Sequence, residues 1–505
     1  MSLKRTVSFL ILLIAATLAY VFAQTGITGA WVIHLPNPDG TLQSTFLKLS
    51  QNSTAVTGTL VRNYHETRIK GSYTDGKLHL EANPWRTSIL AYDGVLQDDH
   101  LELTFTRTGG KNDPAPVKVS AERASEAALR PPAPLPLPTL HDVPDNGLAR
   151  TPPMGWNSWN YFEGKVDDPT VRSIADAMVS SGMQKAGYTY VNIDDTWEAT
   201  RDAAGNITTN RKFPDMKALA DYVHSKGLKI GIYSSPGPQT CAGYEGSYGH
   251  ELQDAKTYAG WGIDYLKYDW CSAHAIYKDS DMRAVYQKMG DALQAVGRPI
   301  VFSLCQYGRE QVWTWGTKVG GNLWRTTGDI SDAWSSMETI GFKQAEISPY
   351  IRPGHWNDPD MLEVGNGGMS EEEYRVHMSL WSLLAAPLLA GNDLRSMSQS
   401  TLAMLTNADV IAIDQDPAAQ PVKRMVQGGN LEVWTRPLQD GSTAVGLFNR
   451  DTQAKTVSVT WSALGLTGQS KGRDLWKHED VPISGDTYTA TVPGHGVILL
   501  RVQKS

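Results

Sequence analysis

Cysteine is nearly missing from this chain. Cys241, Cys271 and Cys305 are the only three thiols in 505 residues, enough for one internal bridge with one thiol left over, so the fold is not a disulfide scaffold. Blocks of Lys and Arg are missing too, and the formal net charge of -7 offers no basic field, which excludes a nucleic-acid partner. No apolar run reaches the roughly 20 residues of a membrane-spanning helix. The longest, FLILLIAATLAYVFA, follows the basic start MSLKR and ends on small or apolar residues at Val21 and Ala23. That pattern predicts a secretory signal peptide over residues 1–23, hence export to the periplasm or outside the cell and no integral-membrane partner. No cysteine stands at the cleavage point, which argues against a lipoprotein. The exported compartment permits a disulfide. Histidines with metal-ligand spacing are also lacking: HExxH is absent and only His355 lies near a group of aspartates, so neither a metal nor another cofactor is expected.

What is present changes rhythm along the chain. Residues 24–120 alternate short β-type runs with turn signals such as Asp75-Gly76 and Asp93-Gly94, and the alternation of Leu78 with Leu80 and of Leu101, Leu103 and Phe105 predicts an antiparallel sandwich or small barrel. Trp31 and Trp85 could serve there as sugar-stacking platforms or as core. Residues 121–147 contain RPPAPLPLPTL, a proline density that predicts a stiff linker. Over 148–405 eight strand-like runs recur, most followed by a helical segment. The first helix is expected to be capped by Asp168, with Pro169 at its first position and Val171, Ile174, Ala175, Met178 and Val179 on one face. Ser370 is a candidate cap further on. The number and order of the runs predict a (β/α)8 TIM barrel of the α/β class. From 406 to 505 the pattern returns to strands, predicting a C-terminal antiparallel β-sandwich.

In such barrels the chemistry gathers where strands end. Here those ends carry Trp156 to Trp159, Asp194-Asp195, Tyr233, Lys267 and Asp269, Gln306, Arg325 and Asp329, and Asp358 with Asp360. One aspartate can be a helix cap. Acidic groups at four separate strand ends are harder to explain that way, because like charges repel unless ligands or cations offset them. A pair of carboxyls, one attacking an anomeric carbon and one protonating the leaving oxygen, suits glycoside hydrolysis, and indole faces suit sugar rings.

The strings TPPMGWNSWN, NIDDTW, GIYSSPG, LKYDWC, WRTTGDI and WNDPDML stand in this order between Thr151 and Leu362. Together they closely resemble glycoside hydrolase family 27, the retaining α-galactosidases, over roughly residues 148–500. The resemblance implies a terminal α-galactoside as substrate, with Asp269 as nucleophile and Asp329 as general acid/base. It implies that Asp194 and Asp195 hold the 4- and 6-hydroxyls of galactose and that Lys267 bonds the 3- and 4-hydroxyls. Trp159 and Tyr233 would line the pocket, and Arg325 and Asp360 would stand around the 2-hydroxyl and the acid/base. Cys241 and Cys271 match a bridged pair beside the pocket, with Cys241 also at the sugar site. Lys267 is then expected to keep Asp269 ionised, and a less compensated Asp329 to hold a proton.

One triplet departs from the family. Cys305-Gln306-Tyr307 stands where α-galactosidases often have Cys-Glu-Trp, which puts Gln306 at the 2-position and leaves α-N-acetylgalactosaminidase as an alternative. β-L-arabinopyranosidases resemble a Glu substitution in the aspartate pair, whereas Asp194-Asp195 is intact, favouring galactose. A non-catalytic sugar-binding protein would need neither Asp269 nor Asp329.

Overall fold

The computed structural model describes residues 26–37, 39–85, 88–109, 113, 115–465, 469–483 and 485–504. The expected signal peptide and the Trp85 side chain lie outside the described residues. Two compact units are present. The first comprises residues up to Ile33, Phe46–Val61 and Glu66–Ala128; the second comprises His34–Thr45, Arg62–His65 and Leu129–Ser505.

The N-terminal strands are β1 (Gly29–Pro36), β2 (Leu42–Asn52), β3 (Ala55–Arg62), β4 (His65–Thr74), β5 (Lys77–Trp85), β6 (Ser88–Gln97), β7 (His100–Thr108) and β8 (Val117–Arg123). They form a closed barrel rather than a sandwich, with β8 returning to β1 so that Trp31 faces Arg123 and Ile33 faces Ala121. Closure leaves no open edge. Leu78, Leu80, Leu101 and Leu103 fill the interior as their alternation predicted. Coiling brings the backbones so close that a Cβ on Gly58 would lie 1.9 Å from the Lys48 carbonyl oxygen. Trp31 is wholly buried, donates Nε1–H to the Ile27 carbonyl at 2.8 Å and lies under the Arg123 guanidinium, so it is core and not a sugar platform.

The second unit contains eight parallel strands: β9 (Met154–Asn157), β10 (Tyr190–Asn192), β11 (Lys229–Ser234), β12 (Tyr265–Asp269), β13 (Val301–Cys305), β14 (Leu323–Arg325), β15 (Trp356–Asp358) and β16 (Leu388–Ala390). From β9 to β15 each pairs with the next in sequence, and β16 pairs with β9. A bridge just past β15 closes the ring: Leu362 N–H donates to Leu389 O and Gly391 N–H to Leu362 O. The alternation in YLKYDWC explains the layering. Leu266, Tyr268 and Trp270 pack outward into the large core shared with the helices, whereas Tyr265 points inward with Tyr190, Val301, Leu323 and Trp356 to plug the barrel. Lys267 and Asp269 continue that inward face toward the C-terminal rim.

The helix at Asp168–Ser180 is capped one residue earlier than expected. The Asp167 carboxylate accepts the Thr170 N–H at 2.9 Å, because its own backbone is extended while Asp168 is already helical. Val171, Ile174, Ala175 and Met178 are buried, but Val179 is exposed. Ser370 forms a reciprocal capping box with Glu373.

Beyond the barrel, a six-stranded antiparallel sheet faces a two-stranded one, Lys455–Thr460 with Thr487–Val492. Val433, Val445 and Leu447 meet Val457, Val459 and Trp461 between the layers, while Trp434 and Phe448 turn the other way onto Phe342 of the barrel unit. Among the described residues no helix is long and apolar enough to cross a membrane.

Candidate active site

The rim forms where inward-facing strand residues run out of apolar partners. Asp269, the last residue of β12, is 5% exposed and held on both oxygens. Tyr307 Oη–H donates to Oδ1 at 2.6 Å, Tyr233 Oη–H to Oδ2 at 3.1 Å, and the Trp270 N–H to Oδ1 at 2.7 Å. Lys267, two residues earlier, does not bond Asp269; its Nζ donates to Asp194 Oδ2 at 2.8 Å. Burial alone would lower Lys267, but Asp194 first, with Cys305 and Asp269, holds it protonated.

Asp194 and Asp195 follow β10 and are both buried. Asn157 Nδ2–H also donates to Asp194, and Ser158 Oγ accepts the Asp194 N–H, so β9 fixes β10. Asp195 accepts backbone N–H groups on both oxygens, Thr196 on Oδ1 and Ala242 on Oδ2, each at 2.7 Å. Burial nevertheless pushes its carboxyl up to about 7. Thr196 adopts φ 85° and Asp360 φ 91°, left-handed conformations that non-glycine residues avoid and that mark strained functional backbone.

Arg325 ends β14 and bridges two carboxylates, Asp329 Oδ1 at 2.9 Å and Asp360 Oδ2 at 2.8 Å. Asp360 is buried and further held by the Ile330 and Met361 N–H groups. The Asp329 side chain is 73% exposed, yet it stands among the pocket's charges. The electrostatics reverse the order expected from sequence. Burial raises Asp269 more than Lys267 and the Tyr307 hydroxyl lower it, whereas at Asp329 burial is outweighed by the Arg325 guanidinium together with Lys267, which hold the carboxyl below its usual range. Arg325 thus stands at the acid/base as the motif implied, whereas the motif does not reveal that Lys267 faces Asp194.

Gln306 lies just past β13, wholly buried, and neither its amide oxygen nor its nitrogen has a partner among the described residues. Trp159 is half-buried at the start of a short helix after β9, placed by its N–H to Asn157 Oδ1. Cys241 and Cys271 form the disulfide, with Cα atoms 5.0 Å apart, and Cys305 is a buried free thiol. The two sulfurs lie close to Asp269, but their mutual bond removes them as metal ligands. Asp358 ends β15 and burial raises it to about 6. His355 precedes that strand, at the opposite end from the rim, where Nδ1 meets the Gly321 carbonyl.

Tyr307 was missed as a site residue. It sits in a left-handed conformation, φ 63°, that turns its hydroxyl back to Asp269 and within 3.8 Å of the Cys241 sulfur. The signal was the departing triplet itself: a tyrosine beside a nucleophile candidate's neighbouring strand can donate where a larger aromatic cannot do so in the same way.

Residues 151–416 match the α-galactosidase A family model, and residues 428–502 match the model of the α-galactosidase C-terminal β-sandwich domain. The chain belongs to the α-galactosidase family, glycoside hydrolase family 27. A family member from Cyamopsis tetragonoloba, an α-galactosidase, is 49% identical over 357 residues, 70% of this chain and 86% of its own. The crystal structure of α-galactosidase I from Mortierella vinacea superposes with a TM-score of 0.69 at 38% identity, covering 72% of this chain and 99% of its own. A candidate α-galactosidase from Bacteroides fragilis, 32% identical with a TM-score of 0.68, covers 91% of this chain and 98% of its own. At 91% of this chain, that match extends into the N-terminal strands.

Proposed function

We propose that this family member is an exported exo-acting α-galactosidase that releases terminal α-D-galactosyl residues with retention of configuration. The observation that carries this reading is the buried Asp269 carboxylate, fixed at both oxygens by Tyr307 and Tyr233 and facing the same rim as the Lys267–Asp194 and Arg325–Asp329 pairs. A carboxylate so restrained is poised to attack along one direction.

In the first step an Asp269 oxygen bonds the anomeric carbon as the glycosidic C–O bond breaks, and Asp329 gives its proton to the departing oxygen. In the second, Asp329 takes a proton from water, whose oxygen displaces Asp269 from the same carbon. Arg325 holds Asp329 as the carboxylate before sugar arrives. Sugar covering the pocket removes water from Asp329 and favours its neutral form, while Asp360 remains to pair with Arg325. Asp194 with Lys267 suits the axial 4-hydroxyl of galactose, Asp195 its 6-hydroxyl, and the unpaired Gln306 amide a 2-hydroxyl.

The test is hydrolysis of the p-nitrophenyl α-galactoside, α-N-acetylgalactosaminide and β-L-arabinopyranoside, with the first-formed sugar anomer followed by NMR. Dominant α-galactoside turnover giving α-galactose first supports the proposal. Preference for another glycoside, or β-galactose first, overturns the specificity or the retention. Recovery of the protein from the periplasm or medium, with its N-terminus sequenced, tests export.

A further inference from the structure

Two short segments far upstream of the family match belong to the same compact unit as the catalytic barrel: His34–Thr45 and Arg62–His65. Their polar side chains converge on one loop, residues 240–244. Gln43, 3% exposed, donates Nε2–H to the Ala242 carbonyl at 2.7 Å. Asn63 donates Nδ2–H to the carbonyls of Cys241, at 2.7 Å, and Thr240, at 3.2 Å. Asp39, also 3% exposed, accepts from Tyr244 Oη at 2.7 Å and from Asn210 Nδ2 at 3.0 Å, and Asn210 in turn donates to the Thr196 carbonyl.

The loop is shaped for this grip. Gly243 has φ +90°, and a Cβ there would fall 1.7 Å from Gln43 Nε2, so the close approach requires glycine. The same loop presents the Ala242 N–H to Asp195 Oδ2, and Thr196, tied through Asn210, supplies the N–H on Asp195 Oδ1. Each backbone donor on Asp195 is therefore one residue or one side chain removed from a residue of the upstream segments.

We infer that Asp39, Gln43 and Asn63 are positioning residues for sugar binding, holding the 240–244 loop and residue 196 so that both oxygens of Asp195 stay aimed at the sugar. The inference rests on the proposal that Asp195 contacts galactose. The alternative is a purely structural role, in which these residues steady the fold and leave the sugar site alone.

The experiment uses the full chain with Gln43→Met, Asn63→Asp and Asp39→Asn, each close to the native shape. It reads kcat and KM on p-nitrophenyl α-galactoside, calorimetric binding of free galactose, and thermal unfolding. Each lost hydrogen bond is expected to raise KM and the galactose Kd together by about 5- to 10-fold, with a smaller change in kcat. Folded variants that bind galactose like the wild type overturn the inference, as does a fall in kcat with galactose binding intact. If Gln43→Met does not fold, Asn63→Asp carries the same test. An active wild type with unmoved variants sinks only this inference, whereas a wild type that neither cleaves the galactoside nor binds galactose sinks the functional proposal and this inference with it.

Discussion

The two sides of the pocket hold their carboxylates by opposite means. Along β10 to β13 the aspartates are buried and their oxygens meet fixed donors: Lys267 and Asn157 on Asp194, two N–H groups on Asp195, two tyrosines and an N–H on Asp269. Along β14 and β15 Asp358 and Asp360 are buried, but Asp329 stands 73% exposed on a loop with Arg325 as its partner. A nucleophile and a sugar clamp gain from rigidity, because reaction at one carbon has one approach. An acid/base must meet leaving groups of different shape and then a water molecule, and an exposed carboxyl with a shared cation can do both.

The comparison is tested most severely by removing each carboxyl in turn. Asp269→Ala is expected to lower kcat by about four orders of magnitude or more on every α-galactoside, since no other buried carboxylate is aimed in its place. Asp329→Ala should cost about 10²- to 10⁴-fold on a sugar leaving group, and markedly less on p-nitrophenyl, whose oxygen departs without much help from a proton. Steady-state rates on a galactosyl oligosaccharide and the nitrophenyl substrate check this. Equal losses on both substrates for Asp329→Ala would show that the exposed side does not supply the acid.

Next in size is Lys267→Met. It strands the buried Asp194 carboxylate, a change that typically costs about 3–5 kcal/mol when one partner of a buried pair is removed. Both a lower unfolding temperature and weaker galactose binding are expected. Arg424→Met, which breaks the exposed end of a pair with Glu432 in the C-terminal sheets, should leave galactose binding at the wild-type level. Calorimetry on both variants separates loss of the clamp from general loss of stability.

Tyr307→Phe removes the 2.6 Å donor to Asp269 and nothing else from the rim. A hydrogen bond to a charged group contributes about 1.5–3 kcal/mol, so kcat/KM should fall about 10- to 100-fold. KM for the nitrophenyl galactoside should change less than kcat, because the hydroxyl touches the nucleophile. An unchanged kcat would mean that Tyr233 and the Trp270 N–H suffice.

Tyr307 also marks where sequence ceased to be legible. The eight barrel strands followed from alternation and order alone, and the polar rim followed from where each run ended, because inward and outward faces are set by local periodicity. Hydrogen-bond partners were not set that way. Lys267 and Asp269 share a face of β12, yet Lys267 leans across to Asp194 because Asp194 stands on the neighbouring strand pair and Asp269 is already satisfied by hydroxyls. Asp329 lies four residues past Arg325, and the motif that places Arg325 at the acid/base does not reveal that Arg325 lowers it. For the N-terminal module strand alternation is the same in a sandwich and in a closed ring, so it does not choose between them; the pairing of β1 with β8 does.

The smallest effect bears most directly on how the exposed side works. In the free enzyme Arg325 lowers Asp329, so the proton needed for departure is lost at a lower pH than an ordinary carboxyl, near 4, would lose it. Once sugar covers the pocket, Asp329 loses water and its proton is held to higher pH. With Asp269 raised and Asp329 lowered, kcat/KM, which reports free enzyme, rises through the lower of the two, Asp329, and falls through the higher, Asp269, so its acid limb should lie at lower pH than the acid limb of kcat, which reports the complex. Arg325→Gln removes the guanidinium, raises Asp329 in the free enzyme, and should move the acid limb of kcat/KM to higher pH by about one unit, closing the gap even as both rates fall. Coincident limbs in the wild type would mean that Arg325 has already released Asp329 to Asp360's side of the pocket before sugar binds, and the two sides would then differ in exposure alone and not in how they handle the proton.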